Sequence, residues 1–239
     1  MKAFILAAGL GTRLKPLTEN IPKALVEVKG IPLLQILIKK LIQNSYTNIV
    51  VNVHHFADLV IDFLKSNQNF GVNIQISDER EQLLDTGGAI LKAKPFLEND
   101  RHFLVHNVDI LSSINFSNLT EYHAKSKALA TMAVRDRNTD RKFLFNENMC
   151  LKGWQNSKTN EKIILDTTEN NLIPLAFSGI HIVCSDIFKY INQSNKFSIV
   201  KTYLDLAQNH NINGFLHNED LWLDVGKPEQ LEFATELFE

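Results

Sequence analysis

Two glycines, an arginine and a lysine share one short stretch near the start of the chain. It reads Leu6-Ala7-Ala8-Gly9-Leu10-Gly11-Thr12-Arg13-Leu14-Lys15-Pro16-Leu17-Thr18 and closes with Pro22-Lys23. Gly9 and Gly11 carry no Cβ and tolerate positive φ, so backbone N–H groups there can approach phosphate oxygens. Arg13 and Lys23 add fixed positive charge where a triphosphate would lie. Far along the chain, Asp109 and Asp224 each end an apolar run. A hard ion such as Mg²⁺ takes one or two carboxylates together with phosphate oxygens and water, so these two, once adjacent, make a metal site. The chemistry on offer is the handling of phosphates by amides, cations and a metal.

The loop matches neither common glycine motif. Leu14 stands where a dinucleotide fingerprint needs its third glycine, which disfavours a nicotinamide-dependent enzyme, and no phosphate loop of the Gly-x-x-x-x-Gly-Lys-Ser/Thr kind occurs. His54 and His55 are adjacent, so on a strand they point to opposite faces and cannot chelate together. The fifteen phenylalanines are scattered at core spacing and form no stacking platform.

The elements that must position these groups follow from hydrophobic spacing. Ala3–Ala8 reads as a buried strand feeding the loop, too short in its apolar stretch for a secretory leader. Leu33, Leu34, Leu37, Ile38 and Leu41 share one face of a helix that starts near Pro32 and runs to about residue 44. A strand at 49–53, a helix over 56–64, a strand at 72–76, a helix opening at Thr86-Gly87-Gly88 and ending at Pro95, and a strand at 103–107 complete the first half. Such alternation implies a Rossmann-like α/β fold, a mostly parallel sheet with helices on both faces, with ligands outside the carboxyl ends of the strands. Residues 128–183 read as strands and hairpins, a small antiparallel region forming one wall of a substrate pocket. Two helices are expected between 186 and 210, then a strand over 221–225 and a helix over 228–237.

Composition bounds the rest. A chain of 239 residues, 44% hydrophobic, makes one large α/β domain with a substantial core. A net charge of −2 without a basic block argues against nucleic acid as a partner. No apolar run approaches the roughly 18 residues of a membrane span. Cys150 and Cys184 lack paired spacing and read as free thiols, so a reducing, cytoplasmic setting is expected.

The first run resembles the signature of the sugar-1-phosphate nucleotidylyltransferases, Leu-Ala-Ala-Gly-x-Gly-x-Arg-Leu-x-Pro-Leu-Thr…Pro-Lys. Similarity continues through Thr86-Gly87-Gly88, Asn107-Val108-Asp109, Phe177-Ser178-Gly179-Ile180 and Trp222-Leu223-Asp224-Val225-Gly226. The compact N-acetylmuramate-1-phosphate uridylyltransferases are the most similar branch. The resemblance implies a nucleotide-diphospho-sugar transferase fold in one domain over 1–239, with a nucleotide part at about 1–127 and a sugar part at about 128–225. It implies Mg²⁺ and two substrates, a nucleoside triphosphate (UTP or GTP) and a sugar-1-phosphate. By the same resemblance Arg13 holds the outgoing phosphates, Lys23 steadies the transition state, and Asp109 and Asp224 bind the metal. Leu6, Ala7, Ala8, Gly9, Gly11, Thr12, Thr86, Gly87, Gly88 and Asn107 surround the nucleotide, the bare backbone at Gly87-Gly88 lying against the base. Ser178, Gly179 and Asp224 face the sugar, although Gly179 equally suits a strand bulge.

Two departures accompany the match. Many relatives carry Glu-Lys-Pro for the sugar and its phosphate, and this chain has none; Glu161-Lys162 lacks the proline. Val108 stands where the family usually has glycine, and a β-branched residue fits an extended backbone there but not a left-handed one. The implied activity is uridylyl transfer to an N-acetylmuramate-type sugar phosphate in cell-wall recycling. Guanylyl transfer to mannose- or heptose-1-phosphate is the alternative within the family, and a non-catalytic nucleotide sensor the alternative outside it.

Overall fold

The computed structural model describes residues 1–167 and 171–237. β1 (Lys2–Leu6) runs into the glycine loop, in which Thr12–Leu14 and Lys23–Leu25 each form a single 3-10 turn. A short hairpin, β2 (Glu27–Val28) and β3 (Ile31–Pro32), leads into α1 (Leu33–Gln43), which buries the five leucine and isoleucine side chains of its apolar face. Then come β4 (Asn48–Val53), α2 (Ala57–Ser66), β5 (Asn73–Asp78), α3 (Asp85–Lys92) and α4 (Lys94–Leu97). β6 (His102–Asn107), β7 (Ile110–Ser112) and α5 (Phe116–Ser126) close this half. Pro95 does not end a helix; it sits in the first turn of α4, where its missing N–H has no partner to lose.

The second half is mostly strand: β8 (Ala130–Arg135), β9 (Arg141–Phe145), β10 (Leu151–Asn156), β11 (Glu161–Ile164) and the 12-residue β12 (Ile173–Cys184). α6 (Ile199–Leu206), β13 (Ile212–Leu216), β14 (Trp222–Asp224) and α7 (Pro228–Leu237) follow. The expectation of two helices between 186 and 210 is corrected: Ser185–Lys189 is a 3-10 turn, and α6 is the single α-helix. The polar run before α6 breaks the pattern, with Asn195 in the left-handed region at φ 62°. β13 lay outside every reading of the sequence.

The large sheet has the order β11-β10-β9-β12-β6-β1-β4-β5, with β8 on β12 and β13 on β8. β6, β1, β4 and β5 are parallel, while β12 runs antiparallel to β6, β8 and β9 and so joins the two halves. Side chains of β1 alternate between two cores. Ala3 and Ile5 pack with α1, Val51 and Leu104, whereas Phe4 packs with Val50, Val105 and Ile90 of α3. Burial on both faces is what a parallel sheet requires. It leaves the carboxyl ends of β1, β4, β5 and β6 as the open edge where a ligand can bind.

Candidate active site

The loop after β1 is held from below by a buried asparagine. Asn52, near the end of β4, accepts hydrogen bonds from the Ala7 and Ala8 N–H groups at 2.6 and 3.1 Å. Its amide donates at 2.7 Å to Glu79, which is fully buried just past β5 and also accepts from the Leu84 N–H at 3.2 Å. Burial pushes the Glu79 carboxyl up, and Asn52 and the Leu84 amide pull it back in part. The Ala7 and Ala8 amides are thus already committed. Among the described residues, the N–H groups of Gly9, Leu10 and Gly11 donate to nothing within the chain and remain for a ligand.

The two loop glycines differ in kind. Gly11 adopts φ 64°, and a Cβ there would lie 2.8 Å from the Thr18 methyl and 3.2 Å from Lys23 Cβ. Thr18 in turn is buried and donates its hydroxyl to the Gly11 carbonyl at 2.8 Å, which folds the loop back toward Lys23. Gly9 has an ordinary φ, and a Cβ on it would meet nothing within 4 Å among the described residues. Neither strain nor crowding within the chain asks for glycine at position 9. The surface it keeps bare faces a cleft.

That cleft has a volume of about 390 Å³ and is lined by Leu6, Ala8, Gly9, Lys23, Asn107 and Asp109, with Asn52, Glu79, Leu83, Asp85, Thr86, Val108 and Lys196 completing it. The Lys23 ammonium pairs with the Asp109 carboxylate at its floor, both side chains being largely buried. Asp109 follows β6, and its carbonyl accepts from the Val225 N–H at 2.9 Å. β7 and β14 pair antiparallel just beyond, Ile110 opposite Asp224. This small ladder brings residues 115 positions apart in the chain to one place, and Gly226 shows how closely. A Cβ built on Gly226 would sit 2.8 Å from Asp224 Oδ1, 2.9 Å from Arg13 Nη2 and 3.0 Å from Lys23 Nζ. Arg13, Lys23, Asp109 and Asp224 therefore face one small space, roofed by a residue without a side chain.

Two carboxylates beside bare amides suit Mg²⁺, which keeps waters and phosphate oxygens for its remaining positions. Among the described residues, no group of three or more His, Cys, Asp or Glu side chains forms a closed metal cage. Val108 is buried, donates its N–H to the Leu6 carbonyl at 3.1 Å and has no positive φ. Valine is unstrained there, so its replacement of glycine does not distort the adjoining Asp109.

Other expected residues stand elsewhere or act otherwise. Thr12 is exposed on the loop, and Thr86 lines the cleft while its hydroxyl accepts from the Ile199 N–H at 3.0 Å. Gly87 and Gly88 are buried, and both N–H groups donate to the Phe197 carbonyl, at 2.9 and 3.2 Å. A Cβ on Gly87 would strike the Phe197 ring at 2.4 Å, and one on Gly88 the Asn195 carbonyl at 2.3 Å. The bare backbone expected to lie against a base is thus used for packing α3 onto the segment before α6. Ser178 is fully buried, and its hydroxyl is hydrogen-bonded to His217 Nε2 at 2.7 Å, so it does not line the cleft. Gly179, at φ 75°, occupies the register shift of β12 against β8 and packs on Asn107, so the bulge reading holds. Asn52 and Glu79 were missed from sequence. Their signal was there, a polar side chain inside the apolar run 49–53 and an acid directly after a strand.

A nucleotidyl transferase family model matches residues 2–239. The N-acetylmuramate alpha-1-phosphate uridylyltransferase of Caulobacter vibrioides is 32% identical over 241 residues, covering 98% of this chain and 95% of that protein. The mannose-1-phosphate guanyltransferase of Yarrowia lipolytica is 29% identical over 241 residues, covering all of this chain and 64% of that longer protein. Among solved structures, HddC from Yersinia pseudotuberculosis complexed with GMP-PN shares the fold, with a TM-score of 0.78 at 23% identity over 100% of this chain and 99% of its own.

Proposed function

Because this chain belongs to the nucleotidyl transferase family, we propose that it transfers a nucleoside monophosphate from a nucleoside triphosphate to a sugar-1-phosphate. The observation that carries the reading is the convergence of Arg13, Lys23, Asp109 and Asp224 beside Gly226, at the mouth of a cleft with free backbone amides.

The acceptor phosphate needs little activation, since its second pKa of about 6 leaves it dianionic near neutrality. One of its oxygens attacks the α-phosphorus, the bond from that phosphorus to the bridging oxygen breaks, and pyrophosphate leaves. The barrier is chiefly repulsion between anions and charge building on the leaving group, so positioning and cations do the catalysis. The Gly9–Gly11 amides and Arg13 bind the β- and γ-phosphates. Lys23, moving from Asp109 to the reacting phosphoryl oxygens, offsets charge developing there. Asp109 and Asp224 would hold Mg²⁺, which when bound neutralises phosphate charge and aligns the two substrates. The nucleotide part spans about 1–127 and the acceptor part about 128–225.

The donor we favour is UTP and the acceptor an N-acetylmuramate-type sugar phosphate, because relatives of matching length carry that name. The 29% identity to a mannose-1-phosphate guanyltransferase supports GTP with mannose- or heptose-1-phosphate as the second reading. Incubation with Mg²⁺, UTP or GTP and each sugar-1-phosphate, read as pyrophosphate release, separates them. Release with UTP and N-acetylmuramate-1-phosphate is expected. Release confined to GTP pairs would select the second reading, and nucleotide binding without release from any pair would make the protein a sensor.

A further inference from the structure

A cavity of about 670 Å³ lies between β9–β11 and α6. Phe143, Trp154 and Phe177 line it with flat apolar surface, the kind that packs against the faces of a sugar ring. Arg137 stands at its edge. The side chain is half-buried, its Nη2 donates weakly to the Phe177 carbonyl at 3.4 Å, and its guanidinium lies over the Trp222 ring at 4.6 Å. Its Nε is buried and has no hydrogen-bond partner among the described residues.

A guanidinium withdrawn from water without a paired anion is costly. Arg135 adds to that cost, lying over the same Trp222 ring at 5.7 Å and carrying the same charge. The acid that offsets it is Asp224, whose charge reaches Arg137. Trp222 and Asp224 are two residues apart on β14 and so point to the same side of the strand. Trp222 is itself fixed by donating Nε1–H to the Ser178 carbonyl at 2.9 Å. Arg137 thus joins two spaces: the aromatic cavity that fits a sugar and the carboxylate that faces the reacting phosphates.

Building on the nucleotidyl-transfer reading, we infer that Arg137 binds the phosphate of the acceptor and presents it to the reaction centre. Once the side chain turns from the weak Phe177 contact, Nε–H and Nη2–H donate side by side to two phosphate oxygens, a geometry lysine cannot copy.

The test uses wild-type, Arg137→Gln and Arg137→Lys full-length protein with N-acetylmuramate-1-phosphate, which carries a carboxylate, and mannose-1-phosphate, which does not. Initial rates are measured with donor and acceptor varied separately, and binding of each sugar phosphate alone is measured by calorimetry. Arg137→Gln should weaken binding and raise KM for whichever acceptor the wild type uses by about tenfold or more, the scale of a lost charge-assisted contact, with donor KM within about twofold. Arg137→Lys should recover part of the loss and shows the effect even if the glutamine variant folds poorly. Equal changes in both KM values, no change, or a loss on N-acetylmuramate-1-phosphate with mannose-1-phosphate binding untouched would overturn the assignment. A wild type that binds sugar phosphate through Arg137 yet releases no pyrophosphate would refute nucleotidyl transfer and leave the phosphate site standing.

Discussion

Gly9 and Gly11 sit two positions apart and look alike in sequence, yet they answer to different demands. Gly11 is fixed by its own backbone and by Thr18, so its identity is a matter of folding. Gly9 is free of both demands, which leaves the approach of something outside the chain as its reason. Gly9→Ala should therefore leave stability within about 0.5 kcal/mol of the wild type, as for an unconstrained surface site. Nucleotide affinity should fall about tenfold or more, the scale of an overpacked contact. Chemical denaturation and nucleotide titration on the same sample check the two halves. Unchanged affinity would mean that no ligand lies over position 9. At this scale the cations and acids were legible because their residue types limit their chemistry. The hydroxyl of Ser178 was not, because sequence does not say that His217 would claim it.

At the scale of elements, legibility followed the kind of contact. Each helix and strand of the first half buries a face that repeats locally, so α1, β4, α2 and β6 were readable to within a residue or two. β13 was not, for its place depends on parallel pairing with β8, more than 75 residues earlier. Polar residues at 192–196 hid the single α6 in the same way, since their conformation answers to α3. The Asn195 and Phe197 carbonyls press on Gly88 and Gly87, and the Thr86 hydroxyl receives the first N–H of α6. The helix that borders the cleft is therefore locked to the helix that walls the aromatic cavity. The β7–β14 ladder does the equivalent for the two aspartates. Sequence suggested that they meet; only the pairing of Ile110 with Asp224 shows by what means.

Across the whole molecule, the two cores enclose histidines that stay neutral. Burial lowers His106 and His181 to about 3, and His123 and His217 to about 4. His106 donates Nδ1–H to the Asn107 carbonyl, His123 is bonded to Thr131, and His181 to the Tyr203 hydroxyl. Unfolded, each has a pKa near 6.5. Between that value and about 4 the unfolded chain binds protons that the folded chain refuses, so stability rises with pH across this window and falls on acidification. The expected slope approaches about 1.4 kcal/mol per pH unit for each histidine. Denaturation midpoints measured from pH 7.5 down to 4.5 should hold level at first and then drop steeply. A flat profile would show that these side chains reach water in the folded state.

The central claim is that two acids 115 positions apart in the chain act on phosphate at one point, and Asp109→Asn isolates it. Asparagine keeps the size of the side chain and removes the charge, so folding should persist, as a melting curve can verify. Pyrophosphate release under saturating Mg²⁺ and substrates should fall about 100-fold or more, the scale of losing a charged partner at a reacting centre. Release within about twofold of the wild type would contradict the claim.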